Sequence, residues 1–186
     1  MMMPSTFWFL TLTLTLSVGL LTSFVYSNAE VDALSALKRS LIDPGNKLKW
    51  WDSNSFDPCS WVYVTCNAQN RVTRLDMGRL NLAGKLAPEL GNLAQLQYLE
   101  LYQNKIQGGI PAELGQLTNL IALDLYENNL SGTLPSSLEN LKALRFLRVN
   151  NNKLLTGPVP RGLLRVPDLD ISNTGLTKPP ASRPLV

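Results

Sequence analysis

A step of 24 residues relates the apolar positions in the middle of the chain. Apolar residues recur at this step in four columns and glycine recurs in a fifth, and two of the columns shift by one residue in the fourth repeat. The unshifted columns contain Leu75, Leu99, Leu123 and Leu147; Met77, Leu101, Leu125 and Val149; and Leu82, Ile106, Leu130 and Leu154. A fixed step of this length predicts stacked structural repeats.

The best-formed repeat, residues 117–140, shows the alternation of a short strand. Leu123 and Leu125 alternate with Asp124 and Tyr126, so the leucines point to one side of the strand and the other two residues to the opposite side. Because one repeat cannot bury its leucines alone, the repeats must stack on one another. The pattern predicts an α/β solenoid with a short parallel sheet on its concave face and a core of leucines.

A column of asparagines follows the strand leucines. Asn104, Asn128 and Asn152 each lie three residues after the second apolar residue of a predicted strand. An amide side chain both donates and accepts hydrogen bonds, so a stacked column can satisfy backbone groups where the chain leaves the sheet. Gly132 and Pro135 then predict a turn.

The first 29 residues differ from the repeats. No charged side chain occurs between Phe7 and Tyr26, and small residues follow at Ser27 and Ala29. This pattern predicts a signal peptide, residues 1–29, whose removal leaves Glu30 as the first residue of a secreted, extracellular chain. The alternative is an uncleaved N-terminal anchor, because an apolar run of about 20 residues is long enough to cross a bilayer.

Composition narrows the function classes. The net charge of +3 is too small to indicate binding to nucleic acid. The absence of histidine and the presence of only two cysteines argue against a metal site, and we expect no cofactor. Glu100 and Asp124 are predicted to lie on adjacent strands, but a glycosidase also needs a deep cleft, which a solenoid face does not provide. We therefore expect no catalytic residues and no enzymatic activity.

The two cysteines, Cys59 and Cys66, are close in sequence. In the oxidising compartment expected for an exported protein, they are predicted to form a disulfide. Two buried free thiols are the alternative, which would require a cytosolic protein.

The repeat has the form LxxLxxLxLxxNxLxGxIPxxLgx, and it resembles the plant-type extracellular leucine-rich repeat. The segment before it resembles the N-terminal cap of the same proteins. There, a helix predicted over Glu30–Ile42 stops at Pro44–Gly45 and is followed by Trp50, Trp51 and the block DPCSWVYVTC. The resemblance implies a right-handed superhelix with a helical cap, in which the tryptophans cover the first repeat and the cysteine pair closes a loop.

A closer resemblance is to the ectodomains of the somatic embryogenesis receptor kinases and to short secreted proteins similar to them. These kinases are co-receptors of plant leucine-rich-repeat receptor kinases. The segments QYLELYQNKIQGGIPAELGQL, DLYENNLSGTLP and LRFLRVNNN carry the resemblance, and it covers about residues 29–160. In that family an aromatic residue of the cap loop contacts ligand, where this chain has Val62. The residues that the resemblance implies to contact a receptor and its bound hormone or peptide are Tyr98, Tyr102, Tyr126, Arg145 and Arg148.

The side chains between the strand leucines are predicted to form the binding face. Tyrosines there offer apolar area together with a hydroxyl group, which suits protein recognition. The alternative is a solvated surface with chance aromatic residues. The candidate protein-binding residues are Tyr98, Glu100, Tyr102, Asp124, Tyr126, Arg145, Phe146 and Arg148.

We divide the chain into a signal peptide (1–29), an N-terminal cap (30–70), the repeats (71–164) and a degenerate repeat with a proline-rich tail (165–186). About four repeats are complete, and the fifth is degenerate because Thr174 replaces the asparagine. Three explanations are open for the apolar face at the end of this repeat. The tail folds over it, a partner covers it, or the chain is truncated and its C-terminal end frays. We favour fraying, because the prolines of the tail cannot build a hydrogen-bonded cap.

Three functional hypotheses follow. The first is a secreted module that binds the extracellular domains of receptor kinases or other cell-surface proteins, with a small hormone or peptide at the shared interface. It would act as a co-receptor-like adaptor or a decoy in plant defence or developmental signalling. The second is an inhibitor of microbial cell-wall-degrading enzymes, similar to the polygalacturonase-inhibiting proteins, and the third is a non-functional truncation product.

Asn129 begins the sequon Asn129-Leu130-Ser131 and is predicted to be exposed and glycosylated.

Overall fold

The computed structural model describes residues 28–180, which form one helix, a cap loop and five stacked coils. The helix, α1, spans Ala29–Ser40. Each coil contributes one strand to each of two sheets. Short 3₁₀ turns connect the coils at Pro88–Asn92, Ala112–Gln116, Ser136–Asn140 and Arg161–Arg165. Residues 1–27 of the predicted signal peptide and residues 181–186 of the predicted tail lie outside the described residues.

The first sheet, called the concave sheet below, contains the predicted strand leucines. Its strands in spatial order are β11 (Asp168–Asp170), β9 (Phe146–Arg148), β7 (Ala122–Asp124), β5 (Tyr98–Glu100), β3 (Val72–Asp76) and β2 (Val64–Cys66). All neighbouring strands are parallel except β2 and β3, which are antiparallel. Leu99 pairs in register with Leu123, so each strand lies one full repeat from its neighbour. The predicted α/β solenoid is confirmed.

A second sheet lies along the opposite side of each coil, and the sequence analysis did not predict it. Its strands in spatial order are β1 (Leu41–Ile42), β4 (Ala83–Lys85), β6 (Lys105–Gly108), β8 (Asn129–Gly132), β10 (Leu154–Pro158) and β12 (Gly175–Thr177). These strands offer a weak signal because each of them buries only one residue. In β6, for example, only Ile106 is buried, between the exposed Lys105 and Gln107.

The core between the sheets consists of the repeat leucines, and the asparagine column completes its hydrogen bonding. Leu99 and Leu123 are fully buried. The amide of Asn128 accepts a hydrogen bond from the N–H of Ile106 at 3.0 Å and donates one to the carbonyl of Leu101 at 2.9 Å. Asn104 and Asn152 make equivalent bonds, so the predicted role of the column is confirmed.

The cap helix differs from its predicted limits. It begins at Ala29, with Asn28 as the N-cap whose side chain accepts a hydrogen bond from the N–H of Glu30. It ends at Ser40 rather than Ile42, because Leu41 and Ile42 pair with β4 instead of continuing the helix. The buried Glu30 carboxylate bonds the side chain of Arg71 and the N–H of Val72, which attaches the helix to the first repeat.

The tryptophans of the cap also differ from the expectation. Trp51 and Trp61 are buried and stacked, with ring centroids 5.1 Å apart, whereas Trp50 is 71% exposed. The expectation that Trp50 covers the first repeat is therefore wrong, and Trp61 takes the place beside Trp51. The predicted disulfide between Cys59 and Cys66 is present, with a Cα–Cα distance of 5.6 Å.

The fifth coil retains both strands, β11 and β12. Val166 and Leu176 are buried, and Leu169 and Ile171 are half-buried against the core. The Thr174 hydroxyl donates a hydrogen bond to the carbonyl of Ile171, three residues before it, as the amide of Asn128 does to the carbonyl of Leu125, so it replaces one donor function of the missing asparagine. Between residues 28 and 180, no helix has both the length and the apolar character needed to cross a bilayer.

Candidate protein-binding face

The centre of the concave face is a pair of stacked tyrosines. Tyr102 and Tyr126 follow β5 and β7 at equivalent positions, and their ring centroids are 5.0 Å apart with an interplanar angle of 6°. Both side chains are half-buried at the surface. The ring of Tyr102 leans over Gly78, where an added Cβ would lie 2.3 Å from its Cζ atom. The missing side chain at Gly78 therefore makes room for the first ring of the stack.

Three arginines lie over aromatic rings of this face. Arg74 is 5.0 Å from the ring centroid of Tyr98, and Arg79 is 5.8 Å from that of Tyr102. Arg148 is 5.1 Å from that of Phe146, which is 38% exposed. A guanidinium group at this distance from an aromatic face is attracted by the ring quadrupole. The aromatic side chains are therefore supported by charge contacts as well as by packing.

Glu100, the last residue of β5, is 9% exposed. Its carboxylate oxygens lie 2.8 Å and 2.7 Å from the Nη2 atom of Arg74 on the neighbouring strand. Burial raises the pKa of the Glu100 carboxyl above its ordinary value, because removal from water disfavours the charged form, while Arg74 opposes this rise. The pair thus holds a carboxylate in a partly dehydrated position.

Asp124 occupies the equivalent place on β7 and is 6% exposed. Arg148 bridges two carboxylates, since its Nη1 atom lies 3.4 Å from Asp124 and its Nη2 atom lies 2.5 Å from Asp168. Burial raises the pKa of the Asp124 carboxyl, with Arg148 opposing, and the hydrogen bond to Asp168 raises the pKa of Arg148. Within the described residues, the Oδ1 atom of Asp124 is buried without a hydrogen-bond partner.

The structure brings together seven of the eight candidate residues in this network. The exception is Arg145, which is exposed and takes part in none of the ion pairs found among residues 28–180. The residues missing from the predicted set are Arg74, Gly78, Arg79 and Asp168. Arg74, Gly78 and Asp168 occupy outward positions in the same alternating pattern. That shared pattern was the signal that could have identified them.

Two further features lie outside the tyrosine network. In the cap loop, Val62 is 42% exposed and Phe56 is 91% exposed. Asn129 lies on β8 of the second sheet and is exposed, as the sequence predicted. The sequon is therefore on the side of the coil away from the tyrosines.

Comparison with known families identifies the class of the protein. The leucine rich repeat N-terminal domain matches residues 27–67, and the leucine-rich repeat region matches residues 64–171. The second match alone covers more than half of the chain. The chain belongs to the leucine-rich-repeat family.

Plant proteins are among its relatives. A leucine-rich repeat protein 1 from Oryza sativa subsp. indica is 62% identical over 77 residues, which are 41% of this chain and 36% of that protein. Leucine-rich repeat protein 1 from Arabidopsis thaliana is 57% identical over 90 residues, which are 48% of this chain and 41% of that protein. The chain thus matches about two fifths of the length of these curated relatives.

Solved plant structures share the fold. A chain in the BIR3–SERK2 complex from Arabidopsis thaliana superposes with a TM-score of 0.71 at 32% identity, covering 78% of this chain and 81% of that one. A chain in the complex of the Arabidopsis receptor kinase HAESA with the peptide hormone IDA and the co-receptor SERK1 gives a TM-score of 0.70 at 34% identity. That match covers 80% of this chain and 26% of the other. These neighbours support a non-catalytic, protein-binding and extracellular leucine-rich-repeat protein.

Proposed function

We propose that the chain is a secreted module that binds the extracellular domains of leucine-rich-repeat receptor kinases through its concave face. It would act there as a co-receptor-like adaptor or as a decoy, in plant defence or developmental signalling. The observation that carries the proposal is the stack of Tyr102 on Tyr126, bordered by the ion pairs of Glu100 and Asp124. Rings that are already fixed lose little conformational freedom when a partner docks on them.

The charges on this face suit specific recognition of a protein surface. Arg74 and Arg148 are each paired and lie over aromatic rings, so their guanidinium groups are held before any partner arrives. Partly buried tyrosine and arginine side chains are the residues that most often dominate protein interfaces. The similar structures also include a complex of a receptor kinase with a peptide hormone and a co-receptor, which supports this class of partner.

Export and glycosylation belong to the same proposal. Residues 1–29 would act as a signal peptide, and Asn129 would carry a glycan on the second sheet. The N-cap residue Asn28 bears on the cleavage site. Its side chain accepts a hydrogen bond from the N–H of Glu30 and donates one to the carbonyl of Phe56, and cleavage after Ala29 would remove both bonds. The intact mass of the secreted, deglycosylated chain distinguishes a first residue at Asn28 from one at Glu30.

A binding panel tests the proposed function. The secreted full-length chain is immobilised and presented with purified ectodomains of plant leucine-rich-repeat receptor kinases. We expect the wild type to capture at least one ectodomain and the double variant Tyr102→Ala, Tyr126→Ala to lose it. Lys105→Ala with Gln107→Ala, on the exposed side of β6, is the matched control and should retain capture. Failure to capture any ectodomain, together with inhibition of a microbial polygalacturonase, would support the inhibitor hypothesis instead.

A further inference from the structure

The concave face repeats one arrangement of three groups, an aromatic ring, an arginine above it and an acceptor that holds the arginine. Arg74 lies over Tyr98 and binds Glu100. Arg148 lies over Phe146 and binds the carboxylates of Asp124 and Asp168. Arg79 lies over Tyr102 and donates to the side-chain oxygen of Gln103. The chain therefore fills three aromatic positions with its own guanidinium groups.

The fourth ring, Tyr126, has the acceptors of this arrangement but not the arginine. One face of its ring stacks on Tyr102, and no cation of residues 28–180 lies over the ring. The adjacent residue, Glu127, is exposed, and one of its carboxylate oxygens accepts a hydrogen bond from Gln103 at 2.9 Å. Burial is the main cause that raises the pKa of the Tyr126 hydroxyl; Tyr102 and the negative charges of Asp124 and Glu127 raise it further, while Arg79 lowers it.

The net charge of the sheet favours a cationic ligand at this position. The strands of the concave sheet contain five carboxylates and two guanidinium groups, a net charge of −3, whereas the whole chain has a net charge of +3. Both guanidinium groups are already bound to carboxylates of the same sheet. Arg79, Arg145 and Glu127 of the same face bring the total to six carboxylates and four guanidinium groups, so a net charge of −2 remains, which attracts a positive group.

We propose that Tyr126 and Glu127 form a subsite for an arginine side chain of the protein partner. The guanidinium group lies on the ring of Tyr126 and donates to the carboxylate of Glu127, which completes the arrangement already present on the other three rings. Arginine fits better than lysine, because its planar group stacks on an aromatic face while it donates two parallel hydrogen bonds to a carboxylate. This inference rests on the proposed function only in assigning the arginine to a protein.

The subsite can be tested without the partner. N-acetylarginine amide is titrated into the full secreted chain with isotope-labelled tyrosines, and the ring signals are followed by NMR. The matched probe is N-acetylcitrulline amide, which has nearly the same shape and no charge. We expect the arginine probe to shift the Tyr126 signals in a saturable manner, with a dissociation constant on the order of 10 mM. The citrulline probe should produce no saturable shift.

Two variants identify the carboxylate. Glu127→Gln keeps the acceptor for Gln103 but removes the charge, and it should weaken binding of the arginine probe by about 5-fold or more. Glu113→Gln, in the 3₁₀ turn Ala112–Gln116, removes an exposed carboxylate away from the ring and should leave binding unchanged. Absence of a saturable shift with the arginine probe, an equal response to citrulline, or unchanged binding in Glu127→Gln would overturn the proposal. Arginine binding without capture of any ectodomain would uphold the subsite and refute the proposed function.

Discussion

The Cζ atom of Tyr102 occupies the space that a side chain on Gly78 would fill, since an ideal Cβ on that glycine would lie 2.3 Å away. Gly78 is on the coil before Tyr102, so the tyrosine leans along the solenoid axis rather than straight out of its own coil. Tyr126 then stacks on Tyr102 with nearly parallel planes. The orientation of two rings thus depends on the absence of a side chain in the first repeat.

Replacement of Gly78 by alanine tests this dependence. The new Cβ forces the Tyr102 ring away, so we expect loss of the stacking shifts in the aromatic NMR spectrum and about 10-fold weaker ectodomain binding. The free energy of unfolding should change by less than about 1 kcal/mol, because the ring can rotate toward solvent. Gly109→Ala is the control, since its Cβ would meet only the carbonyl of Ser131, at 3.9 Å. An unaltered Tyr102–Tyr126 stack in Gly78→Ala would contradict the explanation.

The asparagine column predicts a strong stability effect. Asn128→Ala leaves the N–H of Ile106 without its side-chain acceptor in the core, and the carbonyl of Leu101 keeps only its hydrogen bond from Asn104. Buried groups without partners are costly, so we expect the free energy of unfolding to fall by at least about 2 kcal/mol in urea denaturation. Asn119→Ala is the control, because its exposed amide makes one bond, to the carbonyl of Ala94. Similar losses in both variants would show that the buried column has no special role.

The disulfide should stabilise the cap. Replacing both Cys59 and Cys66 by serine removes the constraint on the short loop that they close. The chain-entropy estimate for this loop is a loss of about 2.5 kcal/mol in the free energy of unfolding. Urea denaturation of the variant and of the reduced wild type should give the same loss. A midpoint equal to that of the oxidised wild type would show that the disulfide contributes nothing to stability.

The two buried carboxyl groups predict a pH dependence. Burial raises the pKa of Glu100 and Asp124 above their ordinary values of 4.5 and 3.8, so the folded chain binds protons more readily than the unfolded chain. Their contribution to the free energy of unfolding therefore grows as the pH falls from neutrality through the raised values, and it is complete below the ordinary ones. The double variant Glu100→Gln, Asp124→Asn should lack this gain.

The measurement is urea denaturation at about pH 7 and about pH 5, compared between the wild type and the double variant. Glu113→Gln serves as the control for removing a carboxylate at an exposed position. If the stability difference between the wild type and the double variant were the same at both pH values, the two carboxyl groups would not titrate as the structure indicates.

Much of the fold could be predicted from the sequence, because the repeat imposes the same constraint many times. Leu123 and Leu125 define a strand by alternation, and the column through Asn128 defines the turn that follows. The second sheet was not predicted, since a strand such as β6 buries only Ile106. Trp50 and Trp51 are adjacent, and the sequence does not distinguish which one the cap buries.

The candidate site was predicted only as far as the alternation allows. Alternation specifies which side of a strand Tyr102 leaves, but not that its ring leans across to Gly78. The pairing of Arg148 with Asp168 depends on the same displacement between neighbouring coils. Glu127 was not selected because it follows the outward tyrosine and lies outside the alternating positions. The sequence pattern does not specify how far a side chain tilts along the solenoid axis toward a neighbouring coil, so only the structure reveals these contacts.

The affinity of a captured receptor-kinase ectodomain for three forms of the chain tests the central claim most directly. Titration calorimetry would compare the wild type, the variant Tyr102→Ala with Tyr126→Ala, and the second-sheet variant Lys105→Ala with Gln107→Ala. The account predicts at least about 100-fold weaker binding for the tyrosine variant and unchanged binding for the second-sheet variant, because the rings would form the centre of the interface. Equal affinity of the tyrosine variant and the wild type, with both folded, would contradict it.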